Sequence, residues 1–153
     1  MTAKLSTDTS RADCSVARAL EVIGERWTVL VLREAFYGVR RFAEMHVAIG
    51  CAKSVLSARL EHLVRHGVLA RVAYREEAKR ERFEYALTAK GKALFPVVIA
   101  LMQWGDRYTP AALGPPVSVR HKGCGASVTC EVRCKDGHGR LEARDTKPRL
   151  RAR

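Results

Sequence analysis

The chain is short of several things at once. It has no long apolar run: the longest are Val29–Leu32 and the proline-containing Ala93–Met102. Neither reaches the roughly 20 residues that a membrane-spanning helix needs. The first 13 residues, MTAKLSTDTSRAD, have no apolar stretch of the kind a secretory signal requires. The five cysteines are odd in number and include no C-x-x-C pair, which argues against a disulfide framework and against a dithiol oxidoreductase. There is no nucleophile elbow and no glycine-rich phosphate loop, and the five histidines are scattered at 46, 62, 66, 121 and 138. There is no internal repeat. Acidic charge is also scarce: 16 Asp and Glu stand against 28 Lys and Arg, a net charge of +12. These shortages point away from a membrane protein, a secreted scaffold and an enzyme. They favour a cytoplasmic protein with a polyanionic partner, nucleic acid first and an anionic membrane surface second.

What is present is 47% apolar residues over 153 positions, enough for one core of ordinary size. The stretch that organises the chain is Lys53 to Gly67, KSVLSARLEHLVRHG. Leu56, Leu60 and Leu63 fall at i, i+4 and i+7, widened by Val64, so the spacing predicts an amphipathic helix. Ser54, Ala58, Glu61 and His62 take the opposite face, with Ser57 and Arg59 flanking the stripe. Arg65 and His66 ahead of Gly67 predict a left-handed stop. The start is poorly marked, and Ser54 is the nearest capping side chain.

Upstream, residues 1–13 are expected to be a disordered arm. From Cys14, Val16, Leu20 and Ile23 form one helical stripe and Trp27, Leu30 and Val31 another. Two helices broken near Gly24 to Arg26, or one bent helix, both fit. Arg41–Val47 reads as a short helix with Phe42 and Met45 inward, and Ala48–Ala52 as a tight turn. Short helix, turn and amphipathic helix make a helix-turn-helix pattern. After Gly67 the period becomes two. Ala70, Val72 and Tyr74 alternate with Arg71, Ala73 and Arg75; Phe83, Tyr85 and Leu87 alternate with Arg82, Glu84 and Ala86. These strands flank the charged tip EEAKRE, which makes a wing. Thr88 is placed to cap a helix from Ala89 to about Tyr108, with Pro96 kinking it or marking a break in its first turn. Its apolar face, Leu94, Val97 or Val98, Leu101 and Trp104, suggests a partner chain, with packing on its own core as the alternative.

Pro110, Gly114, Pro115 and Pro116 form a linker. Residues 111–153 carry 10 basic and 4 acidic groups, so half of the net charge sits on the last 43 positions. The expected organisation is an arm at 1–13, a DNA-binding and dimerisation domain at 14–109, and a basic extension with Cys and His at 110–153. The fold class is mainly α with a small β-hairpin wing.

Several stretches, in order, resemble the HxlR family of bacterial regulators. They are Cys14 to Leu20, Gly24-Glu-Arg-Trp27, Arg41-Phe42-Ala-Glu44 and Val55-Leu56-Ser57-Ala-Arg59-Leu60. Gly67-Val-Leu69, Glu84-Tyr85-Ala-Leu87-Thr88 and Lys90-Gly91 follow. The likeness covers about residues 14–108. The chain departs from the pattern at Ser15, Cys51 and Ala52. The resemblance implies a winged helix-turn-helix of the MarR-like type, a homodimer, transcriptional control with repression as the expected mode, and a place in the bacterial cytoplasm on the nucleoid. It also implies a small-molecule or oxidant effector in some members, sensed at a cysteine in the position of Cys14.

On double-stranded DNA the expected contacts are Lys53, Ser54, Ser57, Arg59 and His62 from the recognition helix. Arg40 and Arg41 would meet phosphates at the preceding helix, and Arg75, Lys79, Arg80 and Arg82 would do so from the wing. Arg59 could instead brace the fold against a carboxylate. Cys14 stands at a helix start, where the positive dipole end favours the oxidisable thiolate; Cys51 has a similar position and is the second redox candidate. In the tail, Cys124, Cys130, Cys134 and His138, with His121 as a substitute, are a candidate zinc set against a metal-free basic tail. No other cofactor is expected. Two other function classes remain open at this stage. One is a sequence-independent nucleic-acid-binding or architectural protein, and the other a thiol enzyme.

Overall fold

The computed structural model describes residues 13–74 and 82–149. The elements run α1 (Ser15–Ile23), α2 (Arg26–Phe36), α3 (Phe42–Ile49), α4 (Lys53–Arg65), β1 (Leu69–Tyr74), β2 (Arg82–Leu87), α5 (Ala89–Lys92) and α6 (Phe95–Tyr108). A 3-10 turn follows at Ala143–Asp145. The chain forms two compact units. One is Ser15–Val98; the other holds the chain from Ile99 onward with Asp13 and Cys14. The division falls inside α6, ahead of the proline-rich linker.

In the first unit, α2 packs on α3 and α4. Val31 and Leu32 of α2, Met45 of α3 and Leu56, Leu60 and Leu63 of α4 are all essentially inaccessible to solvent. Cys51, Val68, Leu69 and Val98 complete the same core. The three leucines of α4 are those the heptad-like spacing places inward. Burial of side chains of this size stabilises the fold by about 1.5–3 kcal/mol each.

The end of α4 is set by its last residues. Gly67 takes φ 66°, Gly67 N–H donates to the Val64 carbonyl at 2.9 Å, and Val68 N–H donates to the Leu63 carbonyl at 2.9 Å. That paired closure needs a residue at ease in the left-handed region. It also delivers Val68 and Leu69 straight into the core. The start of α4 differs from expectation. Ala52 holds the N-cap position with no side-chain bond, and Ser54 lies inside the first turn rather than capping it.

β1 and β2 pair antiparallel, Leu69 opposite Leu87, Arg71 opposite Tyr85 and Tyr74 opposite Arg82. This register puts the apolar set Ala70, Val72 and Tyr74 on the face opposite to Phe83, Tyr85 and Leu87. Leu69 is buried while Val72 is exposed, so the core side of β1 is the Leu69 side. The cause is the entry from Gly67, which fixes Leu69 inward before the alternation begins.

Thr88 caps α5: its hydroxyl accepts from Gly91 N–H at 3.1 Å and donates to the Gly67 carbonyl at 2.6 Å. Gly91 has to be small, because a Cβ there would come within 2.2 Å of the Val68 carbonyl oxygen. The long helix expected from Ala89 to Tyr108 is two helices. A turn at Ala93 and Leu94 separates them, and Pro96 sits in the first turn of α6, where its missing N–H costs nothing.

Candidate nucleic-acid interface

The outer face of α4 is built from the same residues that make its core stripe possible. With Leu56, Leu60 and Leu63 inward, Lys53, Ser54 and Ala58 are turned to solvent. Ser57 is half-buried and donates to Glu61 Oε1 at 3.4 Å. Arg59 is also half-buried. It lines a shallow depression of about 390 Å³ together with Glu25, Trp27, Ser54, Val55 and Ala58. No ion-pair partner for Arg59 occurs among the described residues, Glu25 included, so the bracing role is not seen.

His62 is placed differently from its expected groove-facing position. Its Nε2 lies 3.0 Å from the Val22 carbonyl of α1, and its ring centroid is 4.4 Å from that of His66. The imidazole fastens α1 to α4 and is half-buried. Sequence period alone could not find this, since the partner is a backbone carbonyl 40 residues away.

Arg40 and Arg41 do not lie in the first turn of α3 but just before it. Arg41 is its extended N-cap residue and forms a β-bridge with Glu84 of β2. Tyr85 N–H donates to the Arg40 carbonyl at 2.9 Å, and the Arg40 guanidinium pairs with Glu84 Oε1 at 3.0 Å. The segment before α3 thus adds an edge to the hairpin and ties the helix-turn-helix to the wing. Beside it lies a hollow of about 480 Å³ lined by Arg41, Phe42, Glu44, Arg71, Tyr74 and Arg82, among others. The Arg41 guanidinium stands 4.7 Å from the Tyr74 ring centroid and that of Arg71 4.1 Å from Phe83. Such stacking holds a guanidinium in place against the ring face. Arg71 was not singled out from sequence; its alternation with apolar residues on a wing strand was the available signal. Arg82 is exposed on β2. Arg75, Lys79 and Arg80 lie outside the described residues.

The cysteines differ in access. Cys14 is half-buried just ahead of α1, whereas Cys51 is 6% exposed within the core. The tail set Cys124, Cys130, Cys134 and His138 is not assembled. Among the described residues no three His, Cys, Asp or Glu side chains converge as a metal ion would require. Instead His121 pairs with Cys124 and Cys134 with His138. No helix among the described residues is long and apolar enough to cross a membrane.

Comparison with known proteins bears on this arrangement. The profile of the HxlR-like helix-turn-helix family matches residues 22–112. The uncharacterized HTH-type transcriptional regulator Rv3095 of Mycobacterium tuberculosis is 46% identical over 134 residues, spanning 88% of this chain and 84% of the relative. The crystal structure of PA1607, described as a candidate transcription factor, superposes with a TM-score of 0.78 at 43% identity, over 92% of this chain and 99% of that one. The redox regulator HypR in its reduced form superposes with a TM-score of 0.54 at 28% identity, over 60% of this chain and 90% of that one. These relatives are transcriptional regulators, not enzymes, which removes the thiol-enzyme alternative. With its helix-turn-helix and hairpin wing, the chain belongs to the HxlR-like helix-turn-helix family of transcriptional regulators.

Proposed function

We propose that this regulator binds operator DNA as a homodimer in the bacterial cytoplasm and represses transcription, with α4 in the major groove and the wing on phosphate or in the minor groove. The observation that carries the reading is the division of α4. Its inner leucines are buried, while Lys53, Ser54 and Ala58 stand outward with Ser57 and Arg59 at their edges. Lys53, Ser54, Ser57 and Arg59 would reach base edges, and Ala58 would allow close approach or meet a thymine methyl. Arg40, Arg41 and the wing cations Arg75, Lys79, Arg80 and Arg82 would hold phosphates and so set position.

A homodimer is supported by apolar side chains left in solvent: Val16 and Leu20 on α1, and Leu101, Trp104 and Tyr108 on α6. Two copies would carry two α4 helices to half-sites about one turn, roughly 34 Å, apart. In this reading residues 14–109 bind DNA and dimerise, and 110–153 are a basic extension.

The test is selection of genomic fragments with purified protein, followed by competition against random duplex. A regulator is expected to prefer its selected site by at least about a thousandfold at physiological salt. Little preference would instead identify a sequence-independent architectural protein.

A second reading adds an oxidant response through Cys14. It is supported by the access of that thiol relative to Cys51, and by the likeness to HypR, named as a redox regulator. Peroxide would convert the thiol to a sulfenic acid with release of water, at the foot of α1. Cys14→Ser is expected to bind operator normally and to keep binding after mild peroxide. Protection by Cys51→Ser instead would move the switch to Cys51.

A further inference from the structure

Arg71 takes a position on β1 that its neighbours would give to an apolar residue. In the hairpin register Leu69 lies opposite Leu87 and Arg71 opposite Tyr85. Opposed residues of an antiparallel pair share a face, so Arg71 stands on the same face as the buried Leu69. Two residues beyond Leu69 the core has ended, and Arg71 is exposed. Its guanidinium lies over the ring of Phe83, its diagonal neighbour on β2, 4.1 Å from the centroid. That stacking fixes the direction of a side chain that otherwise samples many rotamers.

Two hollows of the Ser15–Val98 unit meet at this side chain. One, of about 480 Å³, lies toward α3 and is lined by Arg71 with Arg41, Arg82 and Tyr74, among others. The other, of about 400 Å³, lies toward α4 and is lined by Arg71 with Ser57, Glu61, Arg65 and Tyr85, among others. The charge around them is unbalanced. Arg41, Arg65, Arg71 and Arg82 stand against two carboxylates, Glu44 and Glu61. Glu61 accepts a hydrogen bond from Ser57. No carboxylate among the described residues pairs with Arg65 or Arg71. A guanidinium held in place on a concave, cationic surface suits an anion with oxygens to accept from its N–H groups, as a phosphodiester has. The neighbours choose the source of that anion. Ser57 of α4 borders one hollow, and Arg41 and Arg82 border the other.

We propose that Arg71 binds a phosphodiester of the DNA strand passing between α4 and the wing, joining the contacts of α4 to those of Arg41 and Arg82. This rests on the DNA-binding reading above and deepens it, because the contact comes from the body of a wing strand rather than from the charged tip. A phosphate contact sets position and carries no sequence information. The competing role for Arg71 is cover, its aliphatic stem shielding Phe83, which is 41% exposed. Charge and cover can be separated by substitution.

The experiment measures binding of the full chain to its selected operator and to random duplex between about 50 and 200 mM salt. Arg71→Gln removes the charge, Arg71→Met removes it while keeping an apolar stem over Phe83, and Arg71→Lys keeps it. Arg71→Gln and Arg71→Met are expected to weaken both duplexes by the same factor and to lower the salt slope by about one unit. Across that range of salt the advantage of wild type over either variant then narrows by about threefold. Arg71→Lys keeps the wild-type slope. Melting curves show which variants fold, and Arg71→Met carries the test if Arg71→Gln melts early. Wild-type slopes in variants that melt normally overturn this proposal and leave the DNA-binding reading standing. So does a loss confined to the operator, which would make Arg71 a reader of bases. Wild type without salt-dependent binding to duplex overturns the DNA-binding reading and this proposal with it.

Discussion

The two units of this chain are held together by different physics. Ser15–Val98 encloses a core in which Leu32, Met45, Leu56, Leu60 and Leu63 are out of reach of solvent. Beyond Ile99 no described side chain is buried, and order rests on turns, hydrogen bonds of Gln103 with the Val128 and Cys130 backbone and exposed ion pairs such as Arg140–Glu131 at 3.1 Å. Exposed pairs of that kind contribute little. Residues that must present a fixed surface to a ligand need a rigid scaffold behind them, and α4 has one. The described part of the tail has no such scaffold.

The sharpest way to break this contrast is to remove volume from each unit. Leu60→Ala is expected to destabilise the first unit by about 2–5 kcal/mol, read by denaturant melting. Leu113→Ala, fully exposed, should stay within about 0.5 kcal/mol of wild type. Equal effects would mean the cores are not divided as described. A smaller loss, about 1–3 kcal/mol, is expected for Gly91→Ala, whose Cβ has to displace the Val68 carbonyl. Thr88→Ala should cost about 1 kcal/mol through the lost cap of α5. At the surface, Leu101→Glu places a charge in the proposed dimer seam. Sedimentation is expected to show monomer for the variant and dimer for wild type at micromolar concentration. The smallest effect belongs to the wing. Arg82→Ala should leave stability unchanged and lower the salt dependence of DNA binding by about one unit. An unaltered slope would take Arg82 off the phosphate.

What could be read from sequence was what depends on neighbours along the chain. The leucine stripe of α4, the stop at Gly67, the Thr88 cap, the break after Ile23 and the two wing strands are local chemistry, and each stands close to where the residues put it. What could not be read depends on partners far away. His62 turns inward because the Val22 carbonyl is there to meet it. Arg40 and Arg41 join the wing because β2 passes beside them. The core face of β1 follows from its register, set by how Gly67 delivers the strand. Helix continuity across Ala93 and Leu94 was undetermined, since Pro96 fits either a kink or a first turn. In the tail, the pairing of His121 with Cys124 and of Cys134 with His138 rests on tight turns that the cysteine spacing alone does not mark.

The central claim is that the exposed face of α4 reads sequence while the buried face only holds it in place. The most direct test is competition binding with the double variant Lys53→Ala, Ser54→Ala. Both side chains are exposed, so the fold should survive, and the melting curve checks that it does. The account predicts that the preference for the selected operator over random duplex falls by at least about tenfold, since one base contact is worth about 1–3 kcal/mol. Binding to random duplex should weaken only by the single lysine charge. A preference ratio equal to that of wild type, in a variant that melts normally, would contradict it.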